Sequence, residues 1–163
     1  MIIYKDIVTG DEMISDSFKI QDINEVVFEV DCTLMEKNAN PELEIGDDEE
    51  DEDTSKINNI ANSFSLQRAN CNKESYLRYI KGYFRVVVEK LKKKNTSEEE
   101  IQTFQKGASA YVKEQILPHF DDFKLYTGAA MDPEGMLALL RYREEGVTPY
   151  FTFWKHGLER MEV

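Results

Sequence analysis

Apolar positions follow two rhythms along this chain. Near the start, Ile2, Ile3 and Tyr4 form a short patch, and Val26, Val27, Phe28 and Val30 form a β-branched and aromatic run that Glu29 interrupts. Such residues suit strands, and the polar pair Asp11-Glu12 between the patches reads as a turn, so antiparallel β structure is expected here. From Asn72 the rhythm becomes helical. Tyr76, Ile80, Tyr83, Phe84, Val87 and Leu91 recur at helical spacing behind Asn72 as N-cap. Gly82 falls inside this pattern at a cost of about 1 kcal/mol relative to Ala, so close packing is expected at that point.

A second helix opens at Ser97-Glu98-Glu99-Glu100, a capping box in which Ser97 and Glu100 satisfy free backbone donors. Ile101, Phe104, Ala108, Tyr111, Val112 and Gln115 continue its apolar face, and Pro118 is expected to end it. Only Lys93 to Thr96 separate the two helices, which predicts an antiparallel hairpin. Strands follow at Phe123 to Tyr126, Met136 to Tyr142 and Thr148 to Trp154, with turns at Met131 to Gly135 and at Glu144-Glu145-Gly146. Strands, a helical hairpin and strands again define an α+β fold. The aromatic and Met residues of the last strands, among them Met136, Tyr150, Phe151, Phe153 and Trp154, read as core.

Between the two rhythms lies a stretch with almost no apolar surface. Lys37 to Lys56 carries nine acidic residues and two lysines, a net charge of -7. Like charges repel and little apolar area offsets chain entropy, so a mobile acidic loop is expected at 37–56. The whole chain, 163 residues with a net charge of -12, suits one domain, with the hairpin spanning 72–118. This acid balance disfavours generic binding to nucleic acid or to anionic membrane. No run approaches the ~20 apolar residues of a membrane span, and no signal or transit peptide is expected. Cys32 and Cys71 form no CxxC pair and read as reduced thiols.

Catalytic chemistry finds little support. The chain has no GxGxxG, P-loop, GxSxG or HExxH motif, and its only histidines are His119 and His156. A Cys32 or Cys71 nucleophile with one of those histidines is the remaining enzymatic arrangement. His119 follows Pro118 at a helix end, where a cation complements the dipole. Carboxylates suit calcium, which makes Asp47, Asp48, Glu50, Asp51 and Asp53 weak candidate ligands, although no Gly stands among them to shape an EF-hand turn. The hairpin has the opposite sign. From Lys73 to Pro118 ten basic and six acidic residues leave a net +4, with Arg78, Lys81, Arg85, Lys90, Lys92, Lys93 and Lys94 concentrated on the first helix. Lysines at a helix C-terminus also complement its dipole, so the cluster reads either as a structural device or as a docking patch for an acidic protein.

Several stretches, taken together, resemble the translationally controlled tumour protein family. They are Met1 to Asp6, Asp11-Glu12 with Ser15-Asp16, Tyr79-Ile80-Lys81-Gly82-Tyr83, Met131-Asp132-Pro133, Tyr142 to Tyr150 and Trp154 to Leu158. The resemblance covers nearly the whole chain in order. It implies a β-tent core of small sheets carrying the hairpin and a long acidic loop. It also implies a cytoplasmic, non-enzymatic protein linked to growth control, calcium, microtubules, translation elongation factors, survival signalling and a Rheb-like small GTPase.

By the same resemblance, tubulin association falls on the basic residues just named. A GTPase-facing groove, implied through likeness to the core of a Rab-activating chaperone, falls on Glu12, Leu66 and the position after Gly128. The chain departs from the family at two places. Ala129 stands where the family has Glu, which removes a carboxylate from that groove, and Asn40-Pro41-Glu42-Leu43-Glu44 stands where the family signature reads Asn-Pro-Ser-Ala-Glu. The chaperone's zinc cysteines are missing as well, so no zinc is expected. Regulation of a small GTPase is therefore the alternative to calcium- and microtubule-linked binding.

Overall fold

The structure, a computed structural model, describes residues 1–36 and 56–163. The chain begins with the strands β1 (Ile2–Asp6), β2 (Glu12–Ser15), β3 (Ile20–Ile23), β4 (Val27–Asp31) and β5 (Leu34–Glu36). Then come β6 (Lys56–Asn58), the short helix α1 (Asn59–Phe64) and β7 (Gln67–Ala69). The helices α2 (Lys73–Lys93) and α3 (Glu98–Tyr111) form the hairpin, and β8 (Lys124–Thr127), β9 (Ala138–Tyr142), β10 (Pro149–Trp154) and β11 (Leu158–Glu162) complete the α+β fold. Three sheets result, ordered β11-β1-β2, β3-β4-β10-β9-β8-β7 and β5-β6.

Strand β10 runs through the middle of the largest sheet, and every one of its six residues is buried. Its last residue, Trp154, ties the sheet to the hairpin: Phe84 of α2 meets its ring edge-on at 5.0 Å and Tyr111 of α3 at 5.7 Å. Phe84 also stands edge-on to Phe104 of α3 at 5.4 Å. Such perpendicular aromatic contacts fix ring orientation as well as burying area, so one cluster sets how sheet and helices sit together.

The expected helix signals act largely as read. The Asn72 side chain accepts the Ser75 amide at 2.8 Å, and Tyr76, Ile80, Tyr83, Val87 and Leu91 are buried along one stripe of α2. Asn95, in the left-handed region at φ 62, closes α2, and Thr96 donates its amide to the Leu91 carbonyl at 3.0 Å in a Schellman arrangement. Half of the capping box is present, since Ser97 Oγ accepts the Glu100 amide at 3.1 Å, while the Glu100 carboxylate turns instead to His156.

Three expectations change. The helical path does not end at Pro118; α3 passes into a π-turn over Val112–Ile116 and a 3-10 segment over Leu117–Asp122, with Pro118 in its first turn. The wider π-turn rephases the helix, so Ile116 is buried and Gln115 exposed. Glu12 opens a strand rather than sharing a turn with Asp11; the reversal is made by Ile7 to Gly10, with Gly10 at φ 84. Finally, Gly82 serves no close packing among the described residues, because a Cβ built there meets no atom within 4 Å.

The buried Asp6 closes the end of the molecule where the first reversal meets the β8–β9 connection. Its Oδ1 accepts the Val8 amide at 3.0 Å, and its Oδ2 accepts the Thr9 hydroxyl at 3.1 Å and the Met136 amide at 2.7 Å. Tyr79 of α2 reaches the same connection, donating to the Gly135 carbonyl at 2.7 Å and accepting the Leu137 amide at 2.9 Å.

Open space at Gly82 makes Gly82→Ala stabilising by about 1 kcal/mol through helix propensity alone. The expected contrast is Gly157→Ala, because a Cβ at Gly157 would strike the buried Tyr83 hydroxyl and the Met136 methyl. Urea unfolding of the two variants should move the midpoint in opposite directions, upward for Gly82→Ala and downward for Gly157→Ala.

Candidate functional site

Helix α2 carries the basic residues, and its periodicity divides them. Arg78, Lys81, Arg85 and Lys92 are spaced by three, four and seven residues, which sets them on one stripe, and all four are exposed. Glu89 lies on the same stripe. Lys93 is exposed and turned partly away from it, whereas Lys90 is half-buried and faces round the helix. Lys94 has left the helix as its C-cap, and its ammonium lies 3.7 Å from the Glu159 carboxylate of β11. The structure therefore groups four of the seven candidate cations, leaves Lys93 beside them and directs Lys90 and Lys94 elsewhere. Lys90, Lys92 and Lys93 also complement the C-terminal dipole of α2.

Below this stripe the two helices leave a trough of about 440 Å³. Phe84 and Val88 of α2 form its apolar part, Lys81, Arg85 and Lys92 its rim, and Gln105 and Ser109 of α3 its far wall. A more open depression on the outer flank of α3 shares Gln105 and Ser109 and is bounded by Lys106, Lys113 and Glu114. Charge counting found the α2 cations but missed this trough. Its signal was the small Ser109 one helical turn after Gln105, which matters only once α3 lies against α2.

Two side-chain pairs link the turn end of the hairpin to the chain that follows β10. One is Lys94–Glu159. The other joins His156, in the 3-10 turn after β10, to Glu100 in the first turn of α3, with Nε2 3.1 Å from Oε2. The His156 ring is buried and lies 5.2 Å from that of Phe104. Burial lowers its pKa, and the neighbouring Lys155 adds to that, while the bond to Glu100 and the charge of Asp22 oppose it.

The second candidate surface lies at β2. Glu12 is exposed there, opposite Lys5 of β1. Leu66, in contrast, is a core side chain with 6% of its surface exposed, so it supports this face by packing. The link to residue 129 comes through Asp11, whose Oδ2 accepts the Ala130 amide at 3.2 Å and whose carboxylate occupies the space a Cβ on Gly128 would need. Ala129 is exposed beside them. Asp11 and Met131, exposed with φ at 57, belong to this face and were not picked out as such from the sequence.

The thiols are poorly placed as nucleophiles. Burial pushes Cys32 up to about 11, and burial also raises Cys71, so both remain protonated at neutral pH. Cys32 Sγ lies 3.7 Å from the Val30 carbonyl and Cys71 Sγ 3.5 Å from the Asn72 carbonyl, while His156 is engaged by Glu100 and His119 lies 4.0 Å from Asp122. Among the described residues, no three His, Cys, Asp or Glu side chains gather as a metal site. The calcium candidates Asp47, Asp48, Glu50, Asp51 and Asp53, and the altered signature at 40–44, lie outside the described residues. No helix among the described residues is long and apolar enough to cross a membrane.

Three antiparallel sheets carrying an α-helical hairpin define the class of α+β fold to which this chain belongs. The profile of the translationally controlled tumour protein family matches residues 1–159, and the chain belongs to that family, which is non-enzymatic. It is 46% identical to the translationally-controlled tumor protein homolog of Gibberella zeae over 170 residues, covering 100% of both chains. Its identity to the homolog of Neurospora crassa is 44%, again over the full length of both. Among solved structures, the Translationally Controlled Tumor-associated Protein p23fyp from Schizosaccharomyces pombe superposes with a TM-score of 0.80 at 36% identity, covering 100% of each chain.

Because the folded state holds the His156 pKa below its ordinary value of 6.5, it binds fewer protons than the unfolded chain just below that pH. Stability from this group is complete above pH 6.5 and is lost as the pH falls through and below it. Thermal melts from about pH 7 to 5 should show this decline, and His156→Gln should flatten it while lowering the melting temperature at pH 7.

Proposed function

We propose that this protein acts in the cytoplasm by binding acidic protein partners through the exposed cationic stripe of the hairpin, with microtubules and translation elongation factors as the partner classes. The observation that carries this reading is the segregation of charge. A chain with a net charge of -12 presents Arg78, Lys81, Arg85 and Lys92 together on one solvent face of α2. An acidic protein surface gains attraction there that the rest of the molecule would deny it. Elements of either sign also steer association, which fits a growth- or translation-linked adaptor better than a catalyst. In this reading the chain works as one domain, and the acidic segment 37–56 is a separate, calcium-responsive element.

Small-GTPase regulation ranks second. Its surface keeps the exposed Glu12, but Leu66 is buried and Ala129 offers a methyl group in place of a carboxylate.

Reversing Lys81, Arg85 and Lys92 to Glu should abolish cosedimentation with microtubules at low ionic strength. Wild-type binding should weaken steadily as salt approaches physiological levels and beyond, because exposed charges are screened within a Debye length of about 8 Å. Unchanged cosedimentation of the triple variant overturns the reading. For calcium, titration calorimetry should detect weak binding to the full chain that disappears when Asp47, Asp48, Glu50, Asp51 and Asp53 are changed to Asn or Gln; heat that persists would move the site elsewhere.

A further inference from the structure

We infer that the trough between α2 and α3 seats an amphipathic helix from a partner protein, one that turns apolar side chains inward and carboxylates outward to both sides. This deepens the proposed role of the hairpin and rests on it. A cationic stripe alone attracts any polyanion, but a stripe that overhangs apolar surface makes a second demand.

The apolar surface is built rather than incidental. Phe84 and Val88, one turn apart on α2, form it together. The Phe84 ring is half-buried and its orientation is fixed by edge contacts with Phe104 and Trp154 at 5.4 and 5.0 Å, while Val88 is buried and shows only its outer edge, 8% exposed. Across the seam, Ser109 is too small to cover it, and the resulting space of about 440 Å³ stays open to solvent. Cations stand on both sides: Lys81, Arg85 and Lys92 on α2, and, beyond the low ridge of Ser109 and Ala110 on α3, Lys106 and Lys113 with Glu114 beside them.

Length and charge specify the occupant. From Lys81 to Lys92 the rim runs about 16 Å at the helical rise, or three turns, which matches a short helix contacting through anchors at i, i+3 or i+4, and i+7. Flanking carboxylates on that helix meet cations on both sides. Glu89 also lines the trough, so the partner needs one Lys or Arg in register with it. A featureless acidic tail satisfies neither the apolar surface nor Glu89, and this distinguishes the seat from plain electrostatic attraction.

The test uses the full chain and two labelled peptides of identical composition. One has Leu at helical spacing with Glu on both flanks and a single central Lys; the other scrambles the Leu positions. Fluorescence anisotropy should show the patterned peptide binding at least about tenfold tighter. Ser109→Trp, which fills the trough from an exposed helical position, should erase that advantage without lowering the melting temperature. Arg85→Glu should weaken both peptides. Equal affinity of the two peptides, or an advantage that survives Ser109→Trp, overturns the seat, and so does failure of either peptide to bind. The microtubule experiment with the triple charge reversal is independent of these results, so the hairpin reading stands or falls separately.

Discussion

A single buried carboxylate holds together the end of the molecule on which both candidate surfaces depend. Asp6 is 2% exposed, and burial raises its pKa even though two backbone amides and the Thr9 hydroxyl donate to it. An anion in such a place is tolerated only with its acceptor capacity filled, which forces the reversal after β1 and the connection before β9 to converge on it. The convergence leaves no room for a side chain at residue 135, since a Cβ on Gly135 would meet both Asp6 Oδ2 and the Thr9 methyl. The carbonyl of that same glycine receives Tyr79 of α2. One carboxylate thus aligns the start of the chain, the late strands and the first helix of the hairpin.

The hairpin is fixed at separate points by different physics. Hydrogen bonds from Tyr79 hold α2 near its start, aromatic edges on Trp154 hold its middle, and the pairs Lys94–Glu159 and His156–Glu100 hold the turn between the helices. The cations of the exposed stripe make none of these attachments. They stay exposed on the solvent face of α2, whereas Lys94, though close in sequence, lies against Glu159. This division between paired and displayed charge is what makes the stripe the candidate binding face.

Much of this was legible in the sequence because it rests on local chemistry. Helix α2 is announced by Asn72 and the spacing from Tyr76 to Leu91, and the strands near Val26 and Thr148 by β-branched and aromatic residues. What was not legible depends on contacts made at a distance. Glu100 carries the signature of a capping box, yet His156, brought close by the 3-10 turn after β10, competes for it. Gln115 fits an uninterrupted α-helix, and only the π-turn exchanges it for Ile116. Leu66 and Glu12 share a candidate surface on paper, but strand and core burial separate their roles. Short strands such as β2 and β3, four residues each, carry too little pattern to announce themselves without their neighbours.

The placement of β10 sets the order in which the molecule is completed. Strand β4 pairs antiparallel with β10, Val30 opposite Phe151, and Val27 and Val30 are fully covered in the finished fold. On a ribosome these valines emerge about 120 residues ahead of their partner strand, an interval of roughly 6 to 24 s at ordinary elongation rates. The hairpin can close on its own local contacts only in the last third of it, once α3 has been made, while the central edge of β4 waits unpaired throughout. Late in its synthesis the newborn chain is therefore a helical hairpin attached to an unfinished sheet, and its solubility during those seconds is a property that the native state does not display.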